Sequence, residues 1–319
     1  MVSGVYSQKK LIAFSSDATS NDKQQIFLMD EDGDNVRQVA YLSLDCYSPR
    51  ISPDGKTLVF CATNRISDYL YTINIQDTST YRFPVFIDGG LDPIFSADGT
   101  MLMYRSERDE DNAIYIMEMA TGESFPISDG SLATHGEFSH DGTKVIYSSS
   151  ATQNFDLVAL NLLDTTDNAQ QVLVATKDAE IYGTYANDGM KIAFASFDIN
   201  YKGTVKICDD KGKNVKVVSS SGSSYNPKFS PDSKKLAFIS DRSGGFEIYI
   251  CNSDGSGVKQ LTNEPGNVNE FFWSGDSEKI VYDSQSEGTS SIWIIDVESG
   301  TKQNLTGGKA NNISPFFQQ

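Results

Sequence analysis

Seven polar residues stand at one register of this chain: Ser48, Asp92, His135, Tyr182, Asn226, Glu270 and Ser314, spaced 43–47 residues apart. Each lies three positions before Ile51, Phe95, Phe138, Tyr185, Phe229, Trp273 or Phe317, the last residue of a short apolar stretch. One residue earlier the register reads Tyr47, Leu91, Thr134, Ile181, Tyr225, Asn269 and Ile313. Brought to one place, such groups make a binding pocket, because they donate and accept hydrogen bonds with varied charge and shape. Asp92 and Glu270 suit a cationic group such as a lysine or an N-terminal amine. Tyr182, with Tyr47 and Tyr225, offers stacking surface. His135 makes binding pH-dependent near its ordinary pKa of about 6.5.

Other chemistry is scarce. His135 and His140 are the only two histidines in 319 residues, so a metal site of several imidazoles is excluded. No serine has glycine both two residues before and two residues after it, so the G-x-S-x-G nucleophile turn is missing. Cys46, Cys61, Cys208 and Cys251 have no metal-type spacing and read as buried strand thiols, which suit a reducing compartment slightly better than an oxidising one. Asp30–Asp34 reads as a hairpin turn rather than a calcium loop, which is longer and closes on a glutamate. Glu107–Asp111 reads as a solvated loop. The expectation is a chain that is not an enzyme, with no cofactor and no metal.

Against 26 Lys+Arg stand 43 Asp+Glu, a formal net charge of −17. That balance opposes a nucleic-acid backbone or an anionic membrane as partner. No run approaches the roughly 18–20 apolar residues of a membrane span, and the start, MVSGVYSQKKLIAFSSD, has no signal-peptide apolar core. These features predict no nucleic acid, no membrane insertion and a monomer. The predicted address is cytoplasmic for the sequence as it stands, and periplasmic or extracellular if a leader has been removed.

The elements that position the seven residues come from a repeat. A turn recurs as SPDG (52–55), SADG (96–99), SHDG (139–142), ANDG (186–189), SPDS (230–233) and SGDS (274–277). Around each turn the chain reads as four short strands, exemplified by NPKF, KLAFIS, EIYICN and VKQLT. The second strand is apolar on both faces, as a sheet sandwiched between two others requires. Gly55, Gly99, Gly142 and Gly189 are expected at positive φ. Ser233 and Ser277 occupy the same place without that freedom, so their turns should differ or be strained. Small antiparallel sheets repeated at about 44 residues predict an all-β fold, a seven-bladed antiparallel β-propeller. The chain begins at a second strand, LIAFSS, and ends on ISPFF, which matches an innermost one. The C-terminal strand is therefore expected to complete the N-terminal blade. One domain, 1–319, divides into blades at about 8–43 plus 311–319, 44–87, 88–130, 131–176, 177–220, 221–264 and 265–308.

The stretch FSPDSKKLAFISDRSGGFEIYICNSDGSGVKQLT (229–262) resembles the Asp-rich repeat of the TolB-like β-propeller family. The same repeat is found in propeller domains of prolyl-oligopeptidase-like proteases. The resemblance covers essentially the whole chain. It implies a protein-binding or accessory role, commonly outside the cytoplasm. Lyases of similar fold that act on acidic sugars use a metal held by several histidines, which this chain does not supply. The expected function is a non-enzymatic protein- or peptide-binding scaffold acting through the channel face, with Asp92, His135, Tyr182, Asn226, Glu270, Tyr47 and Tyr225 at the channel mouth. The alternative is a carbohydrate- or small-ligand-binding propeller, or an accessory domain of a carbohydrate-active or peptidase system.

Overall fold

The structure is a computed structural model. It describes residues 9–19, 23–77, 81–82 (backbone only), 89–107, 112–128, 132–151, 154–164, 169–219 and 221–319. Most of the acidic run Glu107–Asp111 lies outside the described residues. Among the described residues there is no helix, and so none long and apolar enough to cross a membrane.

Seven four-stranded antiparallel sheets make up the fold, a seven-bladed propeller. In blades 2 to 7 the innermost strands are Asp45–Ile51, Gly90–Phe95, Ala133–Phe138, Ala179–Tyr185, Ser224–Phe229 and Asn267–Trp273. Blade 1 combines both ends of the chain: Asn312–Phe317 pairs antiparallel with Leu11–Ser16, with Ile12 opposite Phe317 and Ser16 opposite Asn312. That strand covers the inner edge of Leu11–Ser16 where the ring closes and gives the first blade the innermost strand the other six have.

The second strands are buried on both faces, which explains their unbroken hydrophobicity. Leu236, Ala237, Phe238 and Ile239 all have zero exposure, although alternate residues point to opposite neighbours. The apolar clusters accordingly mix adjacent blades: Ile248 and Ile250 of blade 6 pack with Phe271, Trp273 and Ile280 of blade 7. Trp273 Nε1 also donates to Lys228 O at 3.0 Å across that seam. All four cysteines are free and buried, and burial raises the Cys251 thiol to about 11.

The Ser-x-Asp turns follow one plan. In blade 6 Ser230 Oγ donates to Asp232 Oδ1 at 2.6 Å and accepts from Lys235 N at 2.9 Å, while Asp232 Oδ1 accepts from Lys234 N at 3.1 Å. The same three bonds recur around Ser52, Ser96, Ser139 and Ser274. Blade 5 has Ala186 in place of the serine and keeps only the bond from Met190 N to Asp188. The four turn glycines have φ of 69–73°, and Ser233 and Ser277 take the same left-handed conformation at 60° and 68°. Those two turns keep the shape at a steric cost, and each serine adds a bond: Ser233 Oγ accepts from Asp188 N and Ser277 Oγ from Asp232 N, both at 2.9 Å. The strain is offset by ties between neighbouring blades.

Candidate functional site: the central channel

Every innermost strand is interrupted at one place by a β-bulge, where two residues oppose one on the second strand. In blades 1 to 6 the pairs are Ser314-Pro315, Ser48-Pro49, Asp92-Pro93, His135-Gly136, Tyr182-Gly183 and Asn226-Pro227. The opposing residues are Phe14, Phe60, Tyr104, Tyr147, Phe194 and Phe238, all buried. The first residue of each pair is left-handed, with φ of 49–59°. Proline suits the second position because a bulge leaves it no ladder bond to donate. Glycine there avoids a clash: a Cβ at Gly183 would lie 2.5 Å from Leu157 Cδ1, and one at Gly136 2.7 Å from Met103 Sδ.

Blade 7 departs from this pattern. Phe271 pairs normally with Tyr282, and the bulge moves one step earlier, placing Asn269 and Glu270 opposite Asp283. Asp283 holds it there, accepting from Asn269 Nδ2 at 2.8 Å and Glu270 N at 3.0 Å. Glu270 is therefore not left-handed like the residues aligned with it in the sequence.

The bulges form the wall of a cavity of about 540 Å³ to which all seven innermost strands contribute. Ser48, Asp92, His135, Tyr182, Asn226, Glu270 and Ser314 all line it, as does Tyr225. Tyr47 does not; its hydroxyl donates instead to Asp68 Oδ1 at 2.6 Å, in its own blade. Asn269 and Asp283 also line the cavity, together with a second tier two residues further along the strands: Arg50, Ile94, Glu137, Thr184 and Lys228. The side chains bury from the first tier to the second, from 54% exposed at Asp92 to 12% at Arg50. This inner tier was missed in the sequence, where the period of two along each innermost strand points to it.

The charges of the cavity are mostly answered from within. Asp92 pairs with Arg105 Nε at 3.3 Å, and Arg105 also reaches Glu107 at 2.7 Å and Asn112 Oδ1 at 2.9 Å. Glu270 pairs with Arg50 at 3.4 Å, and that guanidinium lies over the rings of Phe272 and Phe316, 4.7 and 5.3 Å from their centroids. Glu137 accepts from Thr184 Oγ1 at 2.6 Å and Tyr185 N at 3.3 Å. Both carboxylates expected to await a cation thus already hold an arginine. Burial raises Glu137 to about 7, partly offset by the Thr184 bond, and raises Asp283 to about 7 against its Asn269 bond. Lys228 is the exception among these charges. Its ammonium lies 3.7 Å from the Phe272 centroid with no carboxylate partner among the described residues, and burial lowers it to about 8.

The expectation for His135 also needs correction. Burial pushes it down to about 4, with Asp92 opposing only partly, so it is neutral at pH 6.5. Its ring lies 4.0 Å from that of Tyr182, and its buried Nδ1 has no hydrogen-bond partner. Tyr182 continues to Tyr225 at 6.1 Å, and Tyr225 meets the edge of Phe246 at 5.5 Å. Among the described residues no group of three or more His, Cys, Asp or Glu side chains is arranged to hold a metal ion.

Comparison with known proteins places this geometry. Over 127 residues the chain is 35% identical to the uncharacterized peptidase YuxL of Bacillus subtilis, a match covering 37% of this chain and 19% of YuxL. The chain therefore spans about a fifth of that relative's length. The structure of TolB from Acinetobacter baumannii superposes with a TM-score of 0.63 at 17% identity, over 97% of this chain and 66% of that one. An oligogalacturonate lyase in complex with manganese superposes with a TM-score of 0.64 at 15% identity, over 93% and 85%. At such identities these two likenesses establish the fold alone. The TolB beta propeller domain matches residues 3–180 and 159–319, so the chain belongs to that family.

Proposed function

We propose that this propeller is a non-enzymatic binding module that seats a protein or peptide partner at the mouth of its central channel. The observation that carries this reading is the ring of bulges: Ser48, Asp92, His135, Tyr182, Asn226 and Ser314 share one backbone geometry yet differ in chemistry while lining one cavity. A shared shape with differing side chains suits recognition of something asymmetric better than ring closure, which identical residues would serve. Strand pairing supports a partner larger than the cavity. The hairpins between second and third strands lie at the end where innermost strands start, as the pairs Asp45–Thr63 and Ala179–Phe197 require. On two of these hairpins Ile66, Ile199 and Tyr201 are 91%, 93% and 86% exposed. Such apolar tips beside a polar mouth suit a protein surface.

The run His135, Tyr182, Tyr225 and Phe246 favours a second reading, a carbohydrate or small ligand stacked on the aromatic side. Capture from a lysate of the source organism separates the two when the intact protein is compared with Tyr182→Ala/Asn226→Ala and with a rim control, Val172→Ser/Val217→Ser, two exposed residues on the outermost strands of blades 4 and 5, Gln170–Val174 and Lys216–Val217. The channel reading expects a protein retained by the intact chain and the rim control and lost by the channel variant, recovered uncleaved after incubation. Retention by the channel variant with loss on the rim control overturns it.

A further inference from the structure

Hydrogen-bonding capacity in the channel is distributed unevenly. On the side of blades 2, 3 and 7 the polar groups satisfy one another: Asp92 with Arg105, Glu270 with Arg50, and Asp283 with Asn269 and the Glu270 amide. On the side of blades 5 and 6 they do not. The Lys228 ammonium has only the faces of Phe272 and Phe271, 3.7 and 5.8 Å away, and the side chains of Tyr182, Tyr225 and Asn226 make no hydrogen bond among the described residues. The ammonium can only donate, and the two phenols and the amide can each donate as well. Their unmet need is an acceptor, and beside a lysine with no carboxylate within ion-pair distance among the described residues that acceptor is an anion.

We infer that the inner tier on this side is a seat for a carboxylate, held by Lys228 with Asn226 and Tyr182 above it, on a peptide that enters the channel. A singly charged, planar anion fits better than a phosphate, because Glu270 and Glu137 also line the cavity and would repel a dianion. Arg50 stands on the same Phe272 ring as Lys228 but already holds Glu270, which leaves the Lys228 ammonium as the cationic group of the cavity without an ion-pair partner among the described residues. That reverses the polarity expected from Asp92 and Glu270. The apolar floor beneath the ammonium keeps water from satisfying it fully, which strengthens a charge-assisted hydrogen bond formed there. The inference rests on the channel being the binding site and names the group it takes.

Lysine labelled with ¹³C at Cε lets the Lys228 signal be followed while acetate replaces chloride at constant ionic strength. A saturable shift that disappears in Lys228→Met, with the fold verified by circular dichroism, is the expected result. A signal that does not respond to acetate overturns the seat, as does one that responds only to methylammonium. Short peptides then identify the source of the carboxylate. A tripeptide with a free C-terminus binding roughly tenfold tighter than its amide, about 1.4 kcal/mol, assigns the chain end. The same gain for an amidated peptide with an internal aspartate over its asparagine counterpart assigns a side chain. The two failures are distinguishable: lack of acetate response in a protein whose partner is still lost on Tyr182→Ala/Asn226→Ala removes the seat and leaves the channel reading intact. Retention of the partner by that variant removes the channel reading whatever acetate does.

Discussion

Two sets of positions repeat around this propeller, and they repeat differently. The Ser-x-Asp turns keep both geometry and chemistry: five blades carry the same three hydrogen bonds, and where glycine gives way to Ser233 and Ser277 the left-handed shape survives. The channel bulges keep the geometry alone. In blades 1 to 6 their first residues share φ within 49–59° while the side chain runs through serine, aspartate, histidine, tyrosine and asparagine. A position whose chemistry is fixed by the backbone around it reads as structural. One whose backbone is fixed and whose chemistry varies reads as facing something outside the fold. The repeat thus supplies an internal control, because each blade solves the same folding problem and differs only where something else is asked of it.

The largest effect comes from removing what both sets depend on, the closed ring. Deleting residues 312–319 takes away the strand paired with Leu11–Ser16, along with buried Phe316 and Phe317. The expected outcome is loss of a single cooperative thermal transition, seen by calorimetry. A truncated chain that melts like the intact one would show that closure is not what holds the blades in register.

A smaller effect isolates the turns. Ser230→Ala leaves the Lys235 amide without its acceptor and removes the bond to Asp232, at a fully buried serine. Losing a buried partner costs roughly 1–3 kcal/mol. Chemical denaturation of the variant should show it as a lower midpoint at unchanged m-value. A cost near zero would move the turns into the same class as the channel positions.

Acid and base separate the two regions by sign. Hydrogen bonds from Ser96 and Ser139 hold Asp98 and Asp141 below the usual carboxylate range, so the stability they add is present above the unfolded pKa of about 4 and is lost as pH falls through their folded values. Glu137 and Asp283 behave oppositely. Their folded values near 7 exceed the unfolded ones, so the folded state binds more protons between about 4 and 7 and stability declines as pH rises across that window. His135, with a folded value near 4, works against that decline, since between about 4 and 6.5 the unfolded chain holds its extra proton. Glu137→Gln should flatten the fall in melting temperature from about pH 5 to pH 7 and leave the loss below pH 4 untouched. An unchanged slope would mean that Glu137 titrates normally.

The turns, the period and the strand triplets were legible in the sequence because they depend on local chemistry: S-x-D-G fixes its own backbone, and KLAFIS is apolar on both faces whatever lies beyond it. The channel register was legible too, since counting back from Phe229 or Phe317 follows strand geometry. Three features were not. The bulge shift in blade 7 depends on Asp283, which lies on the neighbouring strand, so Glu270 looks equivalent to Asn226 until the pairing is known. The pairing of Asp92 with Arg105 and of Glu270 with Arg50 joins residues 13 and 220 positions apart, and only the second crosses between blades. The fall of His135 to about 4 follows from burial under Tyr182, which residue type does not reveal. The dipeptides Ser-Pro, Asp-Pro, His-Gly, Tyr-Gly and Asn-Pro in the innermost strands did carry the bulge signal, since proline or glycine inside a strand marks one.

The smallest expected effect is the one that sharpens the contrast most. Asn226 and Tyr182 make no hydrogen bond within the protein among the described residues, so Asn226→Gly and Tyr182→Phe should leave stability within about 0.5 kcal/mol of the intact chain, the usual range for substitutions that break no buried interaction. Asn226 has one possible structural contribution, because asparagine tolerates φ of 50° better than alanine does. Asn226→Asp keeps that tolerance while inverting the polarity beside Lys228, and Asn226→Gly supplies the conformation without a side chain. If Asn226→Gly is as stable as the intact protein while Asn226→Ala loses roughly 1 kcal/mol, the cost belongs to the backbone, and the amide is free to serve a ligand. If both lose stability equally, the amide supports the fold, and the distinction between turns and bulges fails at the position where it is most needed.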